Sequence, residues 1–272
     1  MAATLLHPRL SIDSLSSINW SFDQDLALWR ELGVHHAGLL ISKLAGDREA
    51  KVAQLRTAGI RPATLISRSF DLTAPQTWNE TRQVLNDSLD LVASMGGGSV
   101  YFTPGRTTGA PWCDVLDVFA EAVAPCVAHA KLCGVPIAIE PSLRTDVSFV
   151  NTLRDAIDVA ERTGLKLIAD FGNCWMERDL REVLQRARPH ICLVQICDVR
   201  IGGWGKPSPG GRVHIGEGEL PLKRLVREVL DAGYQGLFDL EVLGPSIEAE
   251  GYAPALRRGV ESASALLTEM GV

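Results

Sequence analysis

The sequence contains no long apolar run, no C-x-x-C pair, no block of like charge and no G-x-G-x-x-G fingerprint, and each absence removes a class of protein. No segment reaches the 18 or so unbroken apolar residues of a membrane span, and the opening MAATLLHPRLSID lacks both a basic start and an apolar core. The expectation is a cytoplasmic protein with no membrane partner. The six cysteines, Cys113, Cys126, Cys133, Cys174, Cys192 and Cys197, follow no regular framework, and 272 residues can bury a core without staples. They read as reduced, mostly buried thiols. No low-complexity stretch or charge run divides the chain, so residues 1–272 are expected to form a single domain. Lys and Arg total 27 against 33 Asp and Glu, a formal charge of -6 that would repel a phosphate backbone. Nucleic acid is therefore not expected as a partner.

What is present is a rhythm. Short β-rich runs alternate with longer helical ones: LSIDSL near residue 10, AGLLIS from Ala37, PATLIS from Pro62, SVYFTP from Ser99, PIAIEP from Pro136, KLIADF from Lys166, ICLVQI from Ile191 and LFDLEV from Leu237. Between them lie stretches such as REAKVAQLRTAG and PLKRLVREVLDAGY, several closing on the Gly that stops a helix. Eight strand-then-helix units predict an α/β fold, a (β/α)8 TIM barrel, over a doubly wound open sheet.

Active sites of such barrels form at the C-terminal ends of the strands. There the sequence places Glu140 (IAIEP), Asp170 (LIADF), Gln195 (LVQIC) and Glu241 (DLEVL), oxygen donors on four consecutive strands. A carboxylate inside an apolar strand must be paired, exposed or bound to a metal. The only Lys on these strands, Lys166, lies at the far end from Asp170, so a bound cation resolves the converging negative charge. An all-oxygen set favours a hard ion, one Mn²⁺ or Mg²⁺, over zinc. Asp239 shares a face with Glu241 and is an alternative ligand or a partner to one.

These residues resemble the sugar phosphate isomerase/epimerase family of xylose isomerase-like TIM barrels. The likeness runs from IAIEPSLR to FDLEVLG, with Glu140-Pro141, then Asp170, then Gln195 with Asp198 three residues on, a Gly-rich turn GEGEL (Gly216 to Leu220), and a closing Glu241. It implies an isomerase or epimerase that moves a proton on a sugar or other hydroxy-carbonyl substrate through an enediolate stabilised by the metal. Glu140 and Glu241 would be the proton-transfer pair. Two positions depart from the common pattern: many members have His where this chain has Gln195, and His where it has Asn173. Gln195 resembles the hydroxypyruvate isomerases and some dehydroshikimate dehydratases, so a lyase is the alternative reading. A DNA-repair endonuclease of the same superfamily would need more histidines than the six present, none on these strand ends. A non-catalytic metal-binding barrel stands as a further reading.

The segment from Arg200 to Glu219 is too long and too rich in Gly and Pro for a simple connection, and reads as a lid over the mouth. Within it, Arg212 and His214 are substrate-binding candidates alongside Asn173 and Trp175, the latter five residues after Asp170. His35, His36 and His129 read as structural. Arg68 and Arg106 are anion contacts without a phosphate cradle behind them. The expected partner is a small-molecule substrate, and the sequence leaves assembly into a homo-oligomer open.

Overall fold

The computed structural model describes residues 6–106, 108–201 and 211–272. Most of the proposed lid, residues 202–210, lies outside the described residues. Eight strands close into a barrel of wholly parallel neighbours: β1 (Leu10–Asp13), β2 (His36–Leu40), β3 (Arg61–Ile66), β4 (Ser99–Phe102), β5 (Ile137–Ile139), β6 (Lys166–Asp170), β7 (Ile191–Ile196) and β10 (Phe238–Leu240). Each strand matches one of the runs read from the sequence. Between β7 and β10 the chain inserts a two-stranded antiparallel hairpin, β8 (Asp198–Val199) with β9 (Arg212–Val213), which the sequence reading took for irregular loop.

Helices follow the strands because their apolar residues recur on one stripe. The 11-residue α5 (Leu153–Thr163) buries Leu153, Ala156, Ile157, Val159 and Ala160; Thr152 caps its first turn by accepting from the Asp155 N–H, and Gly164, left-handed at φ 82°, ends it. The longer α3 (Trp78–Ser94) and α4 (Trp112–Cys133) pack against each other on the outside of the barrel. Among the described residues, no helix is long and apolar enough to cross a membrane.

Strand alternation builds two interiors. Leu10 and Ile12 of β1 face the helices and join the large shell core, while Ser11 and Asp13 face the axis. Inside the barrel, Tyr101, Ala138, Ile168 and Leu193 form a small apolar plug. Beside it the interior turns polar. The register sets Ser11 beside Asp239, Asp239 beside Gln195 and Gln195 beside Asp170, so strand pairing alone lines up a row of hydrogen-bonding side chains. Gly38 of β2 makes room for that row: a Cβ there would sit 2.7 Å from Asp13 Oδ2 and 2.9 Å from Asp239 Oδ2.

Asp198, three residues after Gln195, organises the hairpin. Its carboxylate accepts from the backbone N–H groups of Val199 (2.9 Å), Gly216 (3.0 Å), Gly218 (3.1 Å) and Leu220 (3.1 Å), folding the GEGEL turn around itself. Gly218 is required by that wrap, since a Cβ would lie 2.1 Å from Asp198 Oδ1. Gly218→Ala is expected to cost about 1–3 kcal/mol, the usual penalty of overpacking. Urea unfolding measures it, and an Ala variant as stable as the parent would remove the wrap from the account of the hairpin.

Candidate functional site

Glu140 and Glu241 each lie one residue past the end of their strands, β5 and β10, and Asp170 is the last residue of β6. The side chains of Glu140 and Glu241 line the mouth, and Asp170 sits behind them. A cavity of about 720 Å³ opens there, lined by Glu140, Asn173, Arg212 and Glu241 at its polar wall. Leu15, Leu143 and Leu243 line an apolar wall, and Ser142 and Arg144 come from the segment after β5.

Arg212 reaches this site from the hairpin, and it is no solvated loop residue. Its side chain is 5% exposed; Nη2 donates to Asp170 Oδ2 at 2.6 Å, and Nη1 donates to Glu241 Oε1 at 2.8 Å and to the Glu241 carbonyl at 2.9 Å. This corrects the expectation that internal pairing was unavailable to these strands. The pairing cation comes from outside the barrel strands, on β9.

Asn173 holds the other side. Its Nδ2 donates to Glu140 Oε1 at 3.0 Å and to Asp170 Oδ2 at 2.7 Å, so the residue that stands where relatives have His ties two carboxylates together. It belongs to the short helix α6 (Phe171–Cys174), whose first turn Asp170 caps by accepting from the Gly172 N–H. Gln195 is fully buried. Its Nε2 donates to Glu241 Oε2 and to the Tyr101 hydroxyl, while its Oε1 has no partner among the described residues.

Charge is badly out of balance here. Glu140, Asp170, Glu241, Asp239 and Asp13 are all buried, and the guanidinium of Arg212 is the cation set among them. Burial pushes the Glu140 carboxyl well up from the usual range, reinforced by Glu241 and Asp170 and opposed by Arg212. Burial likewise raises Glu241 to about 8 against the pull of Arg212. Deeper in the barrel, Asp13 and Asp239 face each other, with Ser11 donating to Asp239 Oδ1 at 2.5 Å. Burial raises both, Asp239 to about 7, which fits one proton shared between two carboxyls. Asp239 therefore belongs to the layer below the mouth and does not line the cavity.

The donor set suits a hard divalent cation. Three carboxylates offer excess negative charge, and Gln195 Oε1 is a buried acceptor without a donor. The carboxylate oxygens of Glu140, Asp170 and Glu241 do not all lie within 4.8 Å of one another, because the guanidinium stands between Asp170 and Glu241.

Two other candidates stay outside. His214 is buried, but its Nε2 pairs with Glu250 Oε2 at 2.9 Å, anchoring the hairpin to α9 (Pro245–Glu250) rather than lining the cavity. Trp175 packs against the shell core, as a Trp flanking a core commonly does. Arg68 pairs with Glu80 at 2.5 Å on the surface, and Arg106 lines a smaller cavity beside the mouth. The sequence reading missed Tyr101 and Asp13; both were visible as polar groups at inward positions of apolar strands.

Comparison with known proteins now bears on this geometry. A family model described as the xylose isomerase-like TIM barrel matches residues 27–263. The chain belongs to that family. A search of curated proteins finds no significant match. Among solved structures, the protein SMc04130 from Sinorhizobium meliloti 1021 is 22% identical, covers 95% of this chain and 98% of its own, and superposes with a TM-score of 0.81. The IOLI protein with a bound zinc atom is 17% identical over 96% of this chain and 99% of its own, at a TM-score of 0.85. The 3-keto-D-glucoside 4-epimerase YcjR from E. coli is 16% identical over 96% and 99%, at 0.76. At these identities the likeness is one of fold.

Two stability predictions follow from the charge layout. Arg212→Met leaves Asp170 and Glu241 buried without their cation and is expected to lower the unfolding free energy of chelator-treated protein by about 3–5 kcal/mol. A loss below about 1 kcal/mol would show that the pair is not a stabilising feature of the mouth. Asp13→Asn sets an amide donor where two carboxyls compete for one proton and is expected to raise stability at pH 8 by about 1–3 kcal/mol. Thermal melts in chelator test it, and a lower melting temperature would mean that Asp13 and Asp239 do not share a proton.

Proposed function

We propose that this chain is a divalent-metal-dependent isomerase or epimerase acting on a sugar or other hydroxy-carbonyl substrate. The observation that carries the reading is the pairing of two buried carboxyls, Glu140 and Glu241, on different strands at the wall of one cavity, both with raised proton affinity. Groups of that kind exchange protons with carbon near neutral pH. That the IOLI protein binds zinc and YcjR is a sugar epimerase supports the choice of class.

Glu140, Asp170, Gln195 through Oε1 and Glu241 would hold the ion, Mn²⁺ or Mg²⁺ by donor type. When bound, it supplies an electrophile that polarises the substrate carbonyl and acidifies the neighbouring C–H. The residues do the rest. One of the two Glu side chains removes that proton, and the other returns it to the opposite face of the same carbon or to the adjacent carbon. Asn173 fixes the orientation of Glu140 through its amide N–H. Arg212, directed at the mouth by the hairpin, neutralises charge beside Glu241 and is placed to hold a substrate oxygen. Leu15, Leu143 and Leu243 supply apolar lining that would limit water around a bound substrate.

The test uses no knowledge of the natural substrate. Purified chain loaded with Mn²⁺ or Mg²⁺ should bind about one ion and, with a panel of ketoses and hydroxy-ketones in D₂O, should introduce deuterium next to the carbonyl of at least one. Chelator should abolish exchange. Glu140→Gln and Glu241→Gln should each lower turnover by about 10²–10⁴-fold, since an amide accepts no proton. Full activity in both variants would place the proton-transfer groups elsewhere. Loss of water from a substrate bearing a β-hydroxyl, without exchange in any ketose, would make the chain a dehydratase.

A further inference from the structure

On the outside of the barrel, far from the strand ends, three side chains of different chemistry meet across the α3–α4 contact. Asp90 lies on α3; His129 and Cys133 lie one turn apart on α4, at the i, i+4 spacing that stacks two side chains on one helix face. His129 Nε2 is 2.8 Å from Asp90 Oδ1, and Cys133 Sγ is 3.2 Å from the same oxygen. All three ligand atoms lie within 4.8 Å of one another.

A surface ion pair would account for His129 and Asp90. It leaves Cys133 unexplained, a thiol aimed at a carboxylate that already has a partner. We propose that Asp90, His129 and Cys133 form a zinc site that clamps α3 to α4, with water completing the tetrahedron. Zn–N and Zn–O bonds of about 2.0 Å and a Zn–S bond of about 2.3 Å, set at tetrahedral angles, place N and O about 3.3 Å apart and S and O about 3.5 Å apart. The present distances of 2.8 Å and 3.2 Å need only small side-chain adjustments to reach that shell.

The protons balance simply. Burial and the Asp90 carboxylate both raise the Cys133 thiol, so it carries its proton in the metal-free chain and releases it to solvent when the ion arrives. Asp90 is already ionised, its carboxyl held down by its contact with His129. Ligand chemistry separates this site from the barrel mouth. Mixed nitrogen, sulfur and oxygen select zinc, while the all-oxygen donors inside select a hard ion.

Cobalt(II) is the probe. With excess Mg²⁺ present to occupy the mouth, Co²⁺ titrated into reduced, chelator-stripped protein should give a near-ultraviolet thiolate-to-cobalt band saturating at about one equivalent, displaced by Zn²⁺. Cys133→Ser should lose the band, and Asp90→Asn and His129→Gln should each weaken cobalt binding by about tenfold or more. Saturating Zn²⁺ should also slow alkylation of Cys133 in the unaltered chain, with exposed Cys113 as the internal reference. A band that survives Cys133→Ser, the absence of any band, or equal alkylation of Cys133 with and without zinc would each overturn the site. None of these readouts depends on catalysis, so failure here leaves the proposed isomerase untouched.

Discussion

The guanidinium of Arg212 is set between the carboxylates of Asp170 and Glu241 with almost no water around any of the three, and the mouth of the barrel is built on that contact. Removing two carboxylates from water costs several kcal/mol each, and only a well-placed cation offsets it. The planar fork of arginine serves both at once, one nitrogen to each. Because Arg212 sits on β9, the contact also ties the hairpin to β6 and β10. The hairpin in turn is shaped by Asp198, whose carboxylate is wrapped by the N–H groups of its own turn. A charge buried at the mouth therefore depends on a second buried charge that never touches the cavity.

One guanidinium does not balance the interior. Below the mouth, Asp13 and Asp239 occupy the space that Gly38 leaves open, and burial raises the proton affinity of both. At the mouth, the side-chain hydrogen-bond partner of the Glu140 carboxyl among the described residues is a neutral amide, Asn173. The negative charge is thus disposed of in three ways: pairing with Arg212, protonation at depth, and a remainder at the rim of the cavity. The remainder is what a divalent ion would answer, and Gln195 Oε1, buried without a donor, belongs to the same unfinished set.

The barrel was legible because it rests on patterns short in range. Eight apolar runs, each followed by an amphipathic stretch, fix strand order and hence which strand ends converge, so Glu140, Asp170, Gln195 and Glu241 could be grouped before any coordinates. Arg212 was placed in the lid segment as a substrate-binding candidate, but its ion pairs with Asp170 and Glu241 were not foreseen. Its segment is rich in Gly and Pro, and nothing local shows that two residues, Arg212 and Val213, pair with Asp198 and Val199 into a hairpin. His214 failed for a related reason. Its partner Glu250 is 36 positions away, and a contact of that range leaves no trace in spacing. The α3–α4 cluster was equally invisible: the i, i+4 pair on α4 can be read from sequence, but Asp90 meets it only once the two helices pack.

The two proton-transfer candidates are alike in residue type and unlike in surroundings, which is how a pair of carboxyls comes to hold different roles. Burial raises both. Arg212 pulls both back; on Glu241 the guanidinium is bonded to Oε1 and an amide to Oε2, whereas Glu140 accepts from the Asn173 amide and meets the repulsion of Glu241 and Asp170. The difference in hydrogen bonding between the two carboxyls is thus set by the elements that carry Arg212, Gln195 and Asn173.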